Sequence, residues 1–253
     1  SGINFENLYS GVDVKSSVRI RGFGEQATRN ILVLINGIRI SDMTIAGANL
    51  SRIPTENINK IEVIKGGTGS VLFGDGAVGG AINIITKDPL YIEDNFKVKT
   101  SLSSFKTKKQ VISSTKKLND IVYDFAITDL ETDGYRNNSE YDHSSLNFNL
   151  TKFNDINSRL FAELKHTDEQ TRLPGSILLT DFYKTPKKTR FPEDFGTEKI
   201  TSLKLGNEVK FINKKKFSSN IRFEKKDQYS SLLSSGIRYK SDTSLNTVHI
   251  NSK

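Results

Sequence analysis

Cysteine and tryptophan are absent from the 253 residues, and methionine occurs once. Without cysteine there are no disulfide staples and no thiolate metal sites, and the redox compartment is left open. The three histidines, His143, His166 and His249, are scattered, with no H-E-x-x-H or comparable spacing. Each is expected to face solvent or a wet interior rather than a metal. No apolar run approaches the roughly 18 residues that a membrane-spanning helix requires, and mean hydropathy is −0.44. That excludes a helical membrane protein, but not a sheet whose residues alternate between two environments and average out as polar. Serine, histidine and aspartate all occur, yet never as a G-x-S-x-G elbow with a helix behind it. No catalytic constellation is predicted, and no cofactor. The opening Ser1-Gly2-Ile3-Asn4 lacks the basic start and apolar core of a signal peptide.

What is present in excess is positive charge, formally +8. Residues 1–89 carry 9 Lys/Arg against 8 Asp/Glu, and residues 90–253 carry 28 against 21. The excess is spread among strands and turns rather than gathered on one helix or around aromatic stacking platforms, so nucleic acid is not an expected partner.

Glycine is concentrated, with seven between Gly66 and Gly80 in the stretch EVIKGGTGSVLFGDGAVGGAINIITK. Such density is costly in chain entropy and implies tight turns or close backbone approach. Gly74, Gly76 and Gly79 form a G-x-G-x-x-G, but a phosphate site needs a helix immediately afterwards. The residues that follow are β-branched and strand-forming, so the dinucleotide reading fails. The same stretch resembles the end of the plug domain of TonB-dependent outer-membrane receptors. Glu62, Val63, Gly66, Ser70, Leu72, Gly74, Ala77, Gly79, Gly80 and Ile82 to Lys87 fall on that family's pattern. Lys65, Gly67, Phe73 and Ala81 depart from it. Upstream, Val18-Arg19-Ile20-Arg21-Gly22 and Ile31-Leu32-Val33-Leu34-Ile35-Asn36-Gly37 continue the resemblance, the latter as a strand ending in an Asn-Gly hairpin signal. After Thr55, a candidate helix cap, a helical turn through Ile58 and Ile61 is expected to lead into a short strand at Val63 and Ile64.

Beyond Pro89 the texture becomes period-two: Leu146, Phe148 and Leu150 alternate with Asn147 and Asn149. About eight strands are predicted, near 95–104, 109–118, 120–131, 143–153, 157–169, 199–212, 216–229 and 240–253. Tight turns (118–120, 154–156, 213–215) alternate with longer loops (132–142, 170–198, 230–240), the rim asymmetry of an outer-membrane barrel. Strands of about 11–13 residues suit a tilted membrane span better than a soluble sheet, where about 5–6 is usual. Leu146, Phe148 and Leu150 should face lipid, Asn147 and Asn149 the lumen. Leu173, Ile177, Leu178, Leu179, Phe182 and Tyr183 in the longest loop should form an exposed, ligand-facing surface.

Together these readings imply a membrane β-barrel, partial, with an N-terminal α/β plug domain of mixed sheet. Residues 1–89 would be the plug, missing its N-terminal part, and residues 90–253 the first portion of the barrel. An eight-strand barrel is filled by its own side chains, leaving no room for a plug; the resemblance implies about 22 strands in the whole wall. It also implies active uptake of a scarce, bulky nutrient (ferric siderophore, haem or cobalamin) by a protein that is monomeric at full length. TonB would act through a segment not in this chain, and outer-membrane lipid would surround the wall. A non-transporting receptor, such as a phage or colicin docking site, or an adhesin is the alternative. By position in the family, the apical loops are Gly11–Ser17 and Ser41–Leu50. Asp13, Lys15, Ser16, Met43, Thr44 and Asn49 are the ligand-contact candidates, and Gly22, Gly66, Gly74, Gly79 and Gly80 are assigned to turn geometry and packing.

Overall fold

The structure, a computed structural model, describes residues 3–7, 16–20, 31–39, 58–65, 79–91, 93–211, 216–234 and 236–252. The chain divides into two compact units, Ser1–Asp88 and Pro89–Lys253.

In the first unit, strands β1 (Ile3–Asn7) and β2 (Ser16–Ile20) pair antiparallel. A second, four-stranded sheet has the order β4-β3-β6-β5, built from β3 (Ile31–Ile35), β4 (Ile38–Arg39), β5 (Ile58–Lys65) and β6 (Gly80–Thr86). It is mixed, as expected: β3 and β6 run parallel, and the other pairs antiparallel. The two central strands are near-continuous apolar runs because both of their faces are covered. Ile31, Val33, Ile82 and Ile84 pack together on one side, and Leu32, Leu34 and Ala81 on the other. The Asn-Gly signal forms the β3–β4 hairpin, with Asn36 at φ 51° and Gly37 at φ 79°, the mirror-image turn that two-residue hairpins favour.

The helical turn expected at Ile58 and Ile61 is instead part of β5. That strand is eight residues long, with a bulge between Ile58 and Lys60. Ile61 is 57 % exposed, so the two isoleucines do not share a buried helical face. β-Branched residues at the sheet edge follow the ladder that β6 offers them.

The second unit is one eight-stranded antiparallel meander in sequence order. Its strands are β7 (Asn95–Ser103), β8 (Thr107–Leu118), β9 (Ile121–Thr132), β10 (Tyr141–Asp155), β11 (Ser158–Arg172), β12 (Phe195–Lys210), β13 (Lys216–Ser234) and β14 (Ile237–Ser252). Each predicted strand is present, at lengths from 9 to 19 residues. The long loop expected over 230–240 is not there: β13 and β14 stay paired to Ser234 and Ile237 across a tight turn. The serines, Tyr239 and Lys240 of that segment read as loop by composition, but hydrogen bonding along the ladder lets polar residues extend a strand.

Burial in this sheet is the reverse of a water-soluble protein's. Along β10, Leu146, Phe148 and Leu150 are 36–38 % exposed while Asn147 and Thr151 are buried at 7 % and 5 %. Register carries the pattern across the wall: Phe96, Ser114, Phe125, Phe148, Leu164, Leu203, Phe223 and Val248 are successive cross-strand partners on one face. Nearer the long loops, the same face carries Ser144, Asp129, Asp168, Lys199 and Asp227. Hence an apolar band is bounded by a polar row, and the strands run past it toward that rim. Among the described residues no helix is long and apolar enough to cross a membrane.

The opposite face mixes buried apolar residues, among them Val111, Val122, Ala126, Phe153 and Ile200, with polar and charged groups that pair internally. Glu163 meets Lys204 at 2.9 Å, Arg159 meets Glu208 at 3.0 Å, and Lys226 meets Glu198 at 3.2 Å. Lys204 also lies 4.8 Å over the Phe161 ring. Buried charges persist only when paired and hydrogen-bonded in this way.

Candidate functional site: the long-loop rim

Four connections gather at one end of the meander: the turn 104–106, the loop 133–140, the loop 173–194 and the β13–β14 turn. The loop 173–194 is zipped at its base. Leu173 N–H donates to the Asp194 carbonyl at 2.9 Å, and the Arg190 and Phe191 N–H groups donate to the Pro174 carbonyl at 2.8 and 3.2 Å. Gly175, at φ +70°, sits where a Cβ would lie 2.3 Å from the Phe191 ring, so only glycine lets the two legs close.

Neighbouring connections fasten this loop from both sides. Arg136 donates Nη1 to the Gly175 carbonyl at 2.6 Å and Nη2 to the Lys188 carbonyl at 2.7 Å. Its guanidinium is thus held by backbone oxygens, and partial burial lowers its pKa. Asn138 Nδ2 donates to the carbonyls of Phe191 and Asp194 at 2.6 and 3.1 Å. On the other side the buried Asp194 carboxylate accepts the Leu233 N–H at 3.0 Å and Arg238 Nη1 at 3.1 Å. The turn 104–106 joins through the Asp133 N–H on the Phe105 carbonyl at 3.0 Å and a Lys106–Asp133 ion pair at 2.7 Å. That pair raises the Lys106 pKa, first through the hydrogen bond and then through the charge.

The tip carries helix α1 (Leu179–Lys184). Leu178, Leu179, Phe182 and Tyr183 are 70, 71, 57 and 76 % exposed, as the sequence leads one to expect, whereas Leu173 and Ile177 are half-buried. A single stretch, Lys184-Thr-Pro-Lys-Lys-Thr-Arg190, supplies four cations and no acid. Lys187 lies 5.8 Å over the Tyr135 ring and Arg190 5.3 Å over Phe191. Arg136, Asn138, Asp194 and Arg238 escaped sequence reasoning because their partners are 39 to 56 residues away, or backbone atoms.

Most of the predicted contact and glycine positions, namely Asp13, Lys15, Met43, Thr44, Asn49, Gly22, Gly66 and Gly74, lie outside the described residues. Ser16 is not in a loop but opens β2, paired with Asn7. Gly79 is a buried bend, and Gly80 opens β6 at φ 133°, a region L side chains rarely enter. His143 lies on the inward face of β10 with Asn147, buried and paired with Glu169 at 3.2 Å, while His166 hydrogen-bonds Thr201 at 2.8 Å. Among the described residues no cluster of three or more His, Asp or Glu is arranged to hold a metal ion.

Sequence reasoning also missed a polar tie in the first unit. Asn83, buried in β6, accepts the Gly37 N–H at 2.9 Å and donates to Glu62 at 3.3 Å. Glu62 also pairs with Lys60 at 2.7 Å, the main cause of its lowered pKa. Asn36 meanwhile exchanges side-chain hydrogen bonds with Thr86 at 2.8 and 3.0 Å, holding the hairpin turn against the end of β6.

Comparison with known proteins places these features. Residues 1–81 match the family model of the TonB-dependent receptor plug domain. The chain is 41 % identical over 76 residues to the vitamin B12 transporter BtuB of Photobacterium profundum, covering 30 % of this chain and 12 % of that protein. It is 39 % identical over 80 residues to the ferric aerobactin receptor of Klebsiella pneumoniae, covering 32 % and 11 %. The unliganded ferric citrate transporter FecA superposes with TM-score 0.80 at 17 % identity, covering 99 % of this chain and 40 % of that one. The chain thus spans less than half the length of each of these proteins, which are receptors and transporters, not enzymes. Residues 1–81 thus belong to the TonB-dependent receptor plug domain family, and the chain as a whole shares the fold of the outer-membrane receptors and transporters to which it is similar.

Proposed function

We propose that this chain is the plug and first barrel strands of a longer receptor, divided near residue 89, that actively transports a scarce, bulky nutrient across the outer membrane. The observation that carries the reading is the inverted sheet: an apolar band facing outward and paired polar groups inward, following a plug-type sequence. Such a wall is stable against hydrocarbon and leaves a polar interior, while the rim loops present a surface to the outside. Ligand would be captured at these loops, and TonB would supply the pull that opens a path. The relatives are named for vitamin B12 and ferric aerobactin, so cobalamin and ferric siderophores are the first substrates to try. The test is uptake of labelled cobalamin and ferric siderophores by cells carrying the full-length gene, with and without TonB and with the proton gradient collapsed. Accumulation that requires both TonB and the gradient is expected. Binding without accumulation under any condition would make the protein a non-transporting receptor.

A further inference from the structure

We infer that Asn36-Gly37, the β3–β4 turn, is a latent modification site: the Asn36 side chain closes on the Gly37 nitrogen to a succinimide when β6 draws away from the hairpin. An Asn-Gly pair is the sequence most open to this reaction, because glycine has no Cβ to shield its backbone nitrogen. Asn36 is exposed to water at φ 51°, followed by Gly37 at φ 79°.

Both reacting groups are held by one strand. Asn36 Nδ2 donates to Thr86 Oγ1 at 2.8 Å, and its Oδ1 accepts the Thr86 N–H at 3.0 Å. The Asn36 N–H donates to the Ile84 carbonyl at 2.9 Å. The Gly37 N–H, whose nitrogen is the nucleophile, is spent on Asn83 Oδ1 at 2.9 Å. Glu62 accepts from the other end of that amide at 3.3 Å, which turns Asn83 Oδ1 toward the turn. Electrophile and nucleophile are thus both engaged by β6, and the reaction waits for a local opening of the sheet.

Once they are free, hydroxide takes the Gly37 amide proton and the nitrogen attacks Asn36 Cγ. The bond from Cγ to Nδ2 breaks, and Nδ2 leaves as ammonia with a proton from water, which restores the hydroxide. Water then opens the ring at either carbonyl, leaving aspartate or isoaspartate. Aspartate keeps an oxygen for the Thr86 N–H. Isoaspartate adds a methylene to the main chain and breaks the Ile35–Ile38 register. The mark is permanent, so it accumulates with each opening. Nothing in this chemistry requires transport.

The test incubates the full-length protein, native in outer-membrane vesicles or unfolded in urea, in mildly alkaline water enriched in heavy oxygen. Peptide mass spectrometry and isoaspartate-specific enzymatic methylation read the position. The unfolded chain is expected to convert about tenfold or more faster than the native one. Asn83→Leu and Thr86→Val should each move the folded protein toward the unfolded rate, with hydrogen exchange along β3 and β6 confirming that the sheet is formed. Equal rates in the two states, no conversion in either, or variants with an intact sheet that react no faster than the native protein overturn the inference. The native-against-urea comparison needs no variant, so it remains decisive where a variant fails to fold.

Discussion

At the scale of single residues, two environments make opposite demands on side chains a few ångströms apart. Phe148 lies in the outward row between Phe125 and Leu164, so Phe148→Arg should cost about 2–4 kcal/mol if that row lies near the bilayer midplane. Lys152→Arg, exposed on the same face beyond the band, should be silent. Urea unfolding in lipid vesicles separates the two, and equal midpoints would reject the assigned lipid face. The inward face is not an open surface: Asn147 is 7 % exposed between Ala126 and Lys165, so an arginine there would be crowded and unpaired rather than tolerated. In the plug, Asn83→Leu strands the Gly37 N–H and should cost about 1–3 kcal/mol, the penalty for a buried donor without a partner. Faster hydrogen exchange at Gly37 and along β4, with the barrel strands unchanged, is the expected signature.

Elements here are held by cross-ties more than by their own composition. The loop 173–194 has few buried apolar residues, and its order comes from Arg136, Asn138 and Asp194. Arg136→Lys loses the fork that reaches two carbonyls at once, because an ammonium is a compact charge on a flexible stem. Limited proteolysis should then cut within 173–194 while the strands stay intact; unchanged cleavage would mean that the loop is ordered by something else. A second tie holds the start of β7. Asp94 accepts from Lys116 Nζ at 2.8 Å and from the Lys117 N–H at 2.7 Å, the first being the larger cause of its lowered pKa. A depressed carboxyl contributes above its unfolded value and loses that contribution as pH falls through the folded one. Protection of the Lys117 amide, normalised for intrinsic exchange, should therefore be flat near neutrality and lost only below an ordinary aspartate's 3.8. In Asp94→Asn that acid-dependent step should disappear.

For the molecule as a whole, the decisive fact is that, among the described residues, β7 and β14 each pair on one side only. Phe96, Val98 and Leu102 on one edge, and Leu245, Val248 and Ile250 on the other, are more than half exposed. In hydrocarbon each unsatisfied backbone group costs several kcal/mol, and in water such edges template aggregation. Residues 1–253 produced alone should form inclusion bodies or a heterogeneous detergent species. A monodisperse monomer with one cooperative unfolding transition would mean that this chain is a complete small domain.

Local pattern alone was enough to read the period-two faces, the eight strands and the Asn36-Gly37 hairpin, because alternation and turn chemistry act within a few residues, whereas the mixed plug sheet was expected from the family resemblance. It was also enough to dismiss the nucleotide fingerprint, since Gly79 leads into β-branched residues that form β6. What sequence alone did not reveal are outcomes of pairing at a distance. β5 became a strand rather than a helical turn because β6 presented a ladder to it. The 230–240 loop vanished because β13 and β14 remained in register. Asn83, Asp194 and Arg136 took their roles from partners tens of residues away. Periodicity tells each residue which face it occupies; only the assembled sheet decides what it meets there, since a hydrogen-bonded contact depends on register between strands, which local preference does not encode.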